Sequence, residues 1–133
     1  MASPMNIAQK FQADASYGPG TVVQIGGEFD VTSAQPQSTS IVGVVTSTPG
    51  ILLNPDLTGT NVVAVAIHGV VQCTVSGSAS KGDQLIISPS GALQSVANYT
   101  SEFWVLNVGN VVGIALEDAT GNESIIDVQL GVC

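Results

Sequence analysis

The chain has 133 residues, with ten acidic and two basic side chains and a formal net charge of -8. That balance excludes nucleic acid and anionic membranes as natural partners, because binders of phosphate surfaces gain affinity by replacing counterions with Lys and Arg. Hydrophobic residues make up 44% but aromatics only 5% and charged residues 9%, so a single core of Val, Ile, Leu and Ala is expected, a composition that suits strands.

Residues 1–19 are polar, with isolated Ile7, Phe11 and Tyr17. They read as an extended N-terminal arm preceding one β-domain over residues 20–133, and those three side chains are its candidate partner-docking anchors. MASPMNIAQKF lacks the apolar stretch of a secretory signal, and synthesis in a cytoplasm is expected. Short β-branched runs follow: 21–25, 41–46, 61–69, 70–75, 84–88, 103–108, 111–116 and 124–130. Eight such runs between turn clusters predict an all-β fold, a compact antiparallel β-barrel or sandwich.

The pattern also predicts which faces are buried. Val71, Cys73 and Val75 oppose Gln72 and Thr74, and Ile126, Val128 and Leu130 oppose Asp127 and Gln129, so both strands are half solvated. NVVAVAI (61–67) is apolar on both sides, which places it between two layers or under another subunit. Gly69 marks a bend or bulge after it. Residues 27–40 read as a long polar loop. The turns, among them Tyr17-Gly18-Pro19-Gly20, Thr48-Pro49-Gly50, Asn54-Pro55-Asp56 and Ser88-Pro89-Ser90-Gly91, carry the Gly, Asn and Pro residues that turn geometry demands.

Candidate chemistry is sparse. Ser78-Ala79-Ser80-Lys81 matches the S-x-x-K spacing of some serine hydrolases, but it lies in a Gly and Ser cluster between strands, with Asp83 at hand to keep the lysine charged. A solvated turn is the better reading. His68 is the single histidine, so one chain builds no multi-histidine site, although copies could bring it to a symmetry axis. The acids between Glu117 and Glu123 lack the order of an EF-hand. Cys73 and Cys133 show neither a disulfide framework nor metal spacing, so Cys73 is expected to be a buried core residue and Cys133 a loose terminal one. Asn98-Tyr99-Thr100 and Asn122-Glu123-Ser124 match the glycosylation pattern without the signal that would give it meaning. No catalytic residue, cofactor or metal is expected.

From residue 41 onward the order of segments resembles a β-domain of tailed-phage virion proteins, notably those of cyanobacterial viruses. The matching pieces are IVGVVTSTPGILLN (41–54), VVAVAIHGVVQCTVSGSASKGDQLIIS (62–88), SGALQSV (90–96) and VVGIALEDATGNESIIDVQLG (111–131). Residues 97–110, which include Phe103 and Trp104, depart from the pattern by an insertion. Such domains occur as C-terminal modules of fibre proteins and as stand-alone head-decoration or cement proteins. Because no fibre shaft precedes residue 1, the resemblance implies a decoration protein on the capsid surface of a virion, with the major capsid protein as partner. The second expectation is a neck, fibre or appendage component, and the third a carbohydrate-binding module, for which Trp104, Tyr17 and Tyr99 supply few aromatics. The two-sided strand and the Phe103-Trp104-Val105 segment lead to the expectation of a homotrimer.

Overall fold

A computed structural model describes residues 6–28, 30–35, 40–87, 92–96, 111–120 and 123–130. Ten strands follow one another along it: β1 (Asn6–Ala13), β2 (Val22–Ile25), β3 (Asp30–Ser33), β4 (Ile41–Val45), β5 (Ile51–Leu52), β6 (Val62–Ser76), β7 (Gln84–Ile87), β8 (Leu93–Ser95), β9 (Gly113–Ala115) and β10 (Glu123–Leu130). The all-β class is as the composition predicts. The expected strand over 103–108, the Ser88 to Gly91 turn and Cys133 lie outside the described residues.

The organising element is β6. Its 15 residues join two segments that the sequence shows as separate strands, and each half belongs to a different closed circuit of hydrogen-bonded strands. The N-terminal half pairs with β4 and β1, and β4–β2–β3–β1 completes the first ring. The C-terminal half pairs with β10 and β8, and β10–β9–β7–β8 completes the second. Closure satisfies backbone donors and acceptors without leaving sheet edges. Among the described residues only β5, paired on one side to β1, extends beyond the rings.

Two hydrophobic cores follow from this plan. Phe11, Ala13, Val23, Val31, Val45, Val63 and Val65 pack together in the first ring. Val71, Cys73, Val75, Leu85, Ile87, Leu93, Ala115, Ile126, Val128 and Leu130 pack in the second, joined by Val22, Val44 and Ala66. Successive residues 22/23, 44/45 and 65/66 therefore point into opposite cores. That explains the two-sided apolar run NVVAVAI: both of its faces are covered by its own chain, so it gives no reason to invoke a second subunit.

Between Ala66 and Val71 the inward phase of β6 changes from even to odd numbers. The change coincides with a register shift against Ile7 and Ala8 and with Gly69 at φ 97°, a left-handed conformation that glycine adopts without steric cost. The bend expected at Gly69 is thus what lets one strand serve two cores.

Three expectations need correction. The supposed arm contains β1, held to β6 over seven registered pairs from Asn6↔Gly69 to Gln12↔Val62. It buries Ala8 on one face and Phe11 and Ala13 on the other, and a strand buried on two faces among Gln9, Lys10 and Gln12 shows no alternation to read. The supposed loop 27–40 contains β3, whose Val31 is fully buried. The sheet is also not wholly antiparallel, since β1–β3, β1–β5 and β6–β8 are parallel pairs.

Candidate docking surface

β5 and the segment after it are strapped to the outer edge of β1 by side-chain amides. Asn54 Oδ1 accepts from the Lys10 amide at 2.6 Å, and its Nδ2 donates to the Lys10 carbonyl at 3.0 Å, so one side chain stands in for a strand neighbour. Asn6, 4% exposed, accepts from the Gly50 amide at 3.1 Å and donates to the Val70 carbonyl at 3.0 Å. A Cβ on Gly50 would lie 2.6 Å from the Asn6 carbonyl oxygen, so glycine there permits the close approach. Lys10 Nζ donates to the carbonyls of Pro55 (2.9 Å) and Leu57 (3.3 Å).

The consequence is an apolar surface held by polar anchors. Ile7, Ile51, His68 and Gly69 line a shallow depression with Asn6, and Ile51 and Leu53 beside it are 52% and 55% exposed. Large apolar side chains gathered at one exposed edge mark an interaction surface more often than scattered ones do. The sequence signal was present as I-L-L between two Pro turns, but nothing in it told that β5 lies at an edge.

The three anchors proposed from sequence fall in different settings. Ile7 is half-buried beside this depression, across from His68 and Ile51. Phe11 is inside the first core and is not available to a partner. Tyr17 packs against that core and donates from its hydroxyl to Asp14 Oδ1 at 2.5 Å. That bond first, and a second from Thr32 Oγ1 at 3.1 Å, hold the Asp14 carboxyl below its ordinary pKa.

The S-x-x-K stretch resolves as a turn whose acids serve backbone amides. Asp83 Oδ2 accepts from the Ser80 amide at 3.0 Å and from Ser95 Oγ at 2.8 Å, which together lower its pKa. The Lys81 amide donates to Asp118 Oδ1 at 2.8 Å, and Ala79 bridges Ala119 in both directions. Glu117 Oε1 accepts from the Asp127 amide at 2.8 Å. The acidic stretch and the lysine turn therefore hold each other in place. Cys73 is a free, buried thiol, and burial pushes its pKa up to about 12, which makes it unreactive while folded.

No protein-family model matches the chain, and no curated protein matches it. Solved structures of phage phi29 do. The pre-mature gene product 12 aligns over 98% of this chain at 12% identity and a TM-score of 0.71; this chain spans 22% of that protein. The gene product 12 C-terminal fragment aligns over 95% of this chain and 100% of its own length, at 12% identity and a TM-score of 0.68. The N base of the phi29 head fibre gp8.5 aligns over 96% of this chain and 95% of its own, at 13% identity and a TM-score of 0.52. The chain shares the fold of these phage domains, which do not single out viruses of cyanobacteria.

Proposed function

We propose that this chain is a non-enzymatic structural module of a tailed-phage virion, in a fibre or appendage. The observation that carries this reading is the end-to-end fit to the gene product 12 C-terminal fragment, in which nearly the whole of each chain takes part. A head-fibre base with the same fold adds to it. The decoration reading, with the major capsid protein as partner, has less support, because none of these neighbours is described as a cement or decoration protein.

Two closed rings fused along one strand suit a part that bears load. Pulling on either end must break backbone ladders that are closed on themselves, and among the described strands β5 is the one left to recruit a neighbour by its edge. The acid excess keeps many copies soluble and apart until specific faces meet.

The experiment is labelling of intact particles with an antibody to the chain. Label confined to a few spikes, or to one ring, is the expected outcome. A regular lattice of label over the head returns the decoration reading, and no label on purified particles rejects both.

A further inference from the structure

The two rings repeat one plan. The first uses β1, β2, β3, β4 and the N-terminal half of β6, and the second uses the C-terminal half of β6, β7, β8, β9 and β10. In each, the first strand pairs with the third in parallel and with the fifth antiparallel. The second strand pairs with the third and the fourth, and the fourth with the fifth, all antiparallel. Single residues correspond as well. Gly20 and Gly82 both have φ 92° and donate to the carbonyls of Val45 and Ala115 at 2.8 and 2.7 Å. Gly43 and Gly113 each lie against a backbone carbonyl, of Ala66 and of Gln129, with which a Cβ would collide. Val31 and Leu93, both fully buried, meet Ala13 and Val75 in the two parallel seams.

The correspondence matches Lys10 with Gln72, each three residues before its seam residue. In the first ring the Lys10 amide and carbonyl are both taken by the Asn54 carboxamide. In the second ring the same rung is open. Asp127, opposite Gln72 on β10, spends its amide on Glu117 and its carbonyl on Leu116, and directly opposed residues of an antiparallel pair exchange both bonds or neither. The Gln72 amide and carbonyl therefore point away from β10, and among the described residues none is bonded to them. The carbonyl faces Gly20, 3.8 Å from where a Cβ there would stand. Beside it, Gln72 shares with Pro19, Thr46, Ser47, Thr48 and the buried Asn6 a cleft of about 130 Å³.

We propose that this cleft takes the carboxamide of an Asn or Gln side chain from a partner polypeptide, as Asn54 fills the matching rung of the first ring. The opening is one rung long: the Val70 carbonyl already accepts from Asn6 Nδ2 at 3.0 Å, and β8 joins β6 at Val75. A partner strand needs a run of free rungs, whereas a carboxamide sets one acceptor beside one donor and matches a single residue. A carboxylate lacks the donor, and an ammonium or guanidinium lacks the acceptor. The net charge of -8 disfavours a carboxylate further. The exposed hydroxyls of Ser47 and Thr48 on the cleft suit the second hydrogen and lone pair of the carboxamide. The contact does not rest on the virion assignment and is tested in free solution.

The test is a nuclear magnetic resonance titration of the isotope-labelled full chain with the capped peptide LNPD, the sequence of residues 53–56. A saturable shift of the Gln72 backbone amide is expected, with about tenfold weaker binding by LDPD, which keeps the shape and loses the donor. Gln72→Ala is expected to bind as the wild type does, because the site is built on backbone. Ser47→Trp, which fills the cleft from an exposed position, is expected to weaken binding by about tenfold with thermal unfolding unchanged, and Thr48→Trp serves if that variant fails to fold. No shift at residue 72 or equal binding of LDPD overturns the proposal. So does a response confined to Lys10, since the peptide would then have displaced the chain's own Asn54. Loss of binding in Gln72→Ala, or full binding in the folded Trp variant, likewise rejects the site.

Discussion

The two rings share a strand and a plan yet differ in how they are filled and closed. The first is lined mostly by valines together with Phe11, and its closing strand β1 meets β3 through two parallel pairs, Gln12↔Asp30 and Ala13↔Val31. The second is filled by Leu85, Ile87, Leu93, Ile126 and Leu130, and β8 meets β6 through the single parallel pair Val75↔Leu93. Each ring therefore has one short parallel seam, but the second buries more of the large aliphatic side chains. Each fully buried Leu or Ile contributes about 1.5–3 kcal/mol, so the second ring is expected to hold when the first is opened.

Leu85→Asp attacks the stronger ring and has the largest expected effect. Leu85 is fully buried, and an uncompensated buried charge costs at least about 3–5 kcal/mol, a large part of a domain's stability. Loss of the folded circular dichroism spectrum is expected. Ile86, whose 8% exposure lies on the opposite face of β7, should tolerate the same change better.

Removing residues 1–13 attacks the weaker ring by taking out β1. Amide exchange at Val63 and Val65 is expected to accelerate by orders of magnitude, while Cys73 in a Cys133→Ser background stays shielded from a thiol reagent. Equal loss of protection in both rings would show that β6 makes them one cooperative unit. Cys73→Ser is a gentler probe of the second core: a buried hydroxyl without a partner costs about 1–3 kcal/mol, read as a lowered midpoint in urea.

The smallest expected effects separate the rings by pH. Asp14 on the first and Asp83 on the second both have pKa values lowered from 3.8. A carboxylate depressed in the folded state adds stability that is complete above its unfolded value and is lost as the pH falls through the folded one. Asp14→Asn and Asp83→Asn should each lower the neutral plateau slightly, leave stability at the acid extreme nearly unchanged, and so flatten the acid limb of a stability-against-pH curve below about pH 4. Lys81→Ala, an exposed turn residue, is expected to shift stability within about 0.5 kcal/mol.

Much of the second ring was legible. Its strands alternate or form β-branched runs, and Val71, Cys73, Val75, Ile126, Val128 and Leu130 point inward as the pattern predicts. The first ring was legible only at β2, β4 and β6. β3 is four residues, Asp30–Ser33, with one fully buried side chain, and β1 divides its buried residues between two faces. The candidate site was the least legible part: Ile7 was singled out, but Phe11 was assigned to a partner when its own core holds it, and Ile51, Leu53 and Asn54 read as strand end and turn.

Composition and periodicity by themselves determined an all-β, acidic, Val- and Ile-cored chain with a break at Gly69, because side-chain alternation and φ > 0 are local properties. Tertiary structure alone decided that β6 is one strand serving two cores and that residues 6–13 close a ring instead of hanging free. It also decided that residues 51–57 form a surface edge. The physical reason is common to all three. Pairing partners far apart in sequence, such as Phe11 with Val63 or Ile7 with Ile51, convert a polar-looking segment into buried strand or an apolar one into exposed edge, and no local pattern records which neighbour arrives.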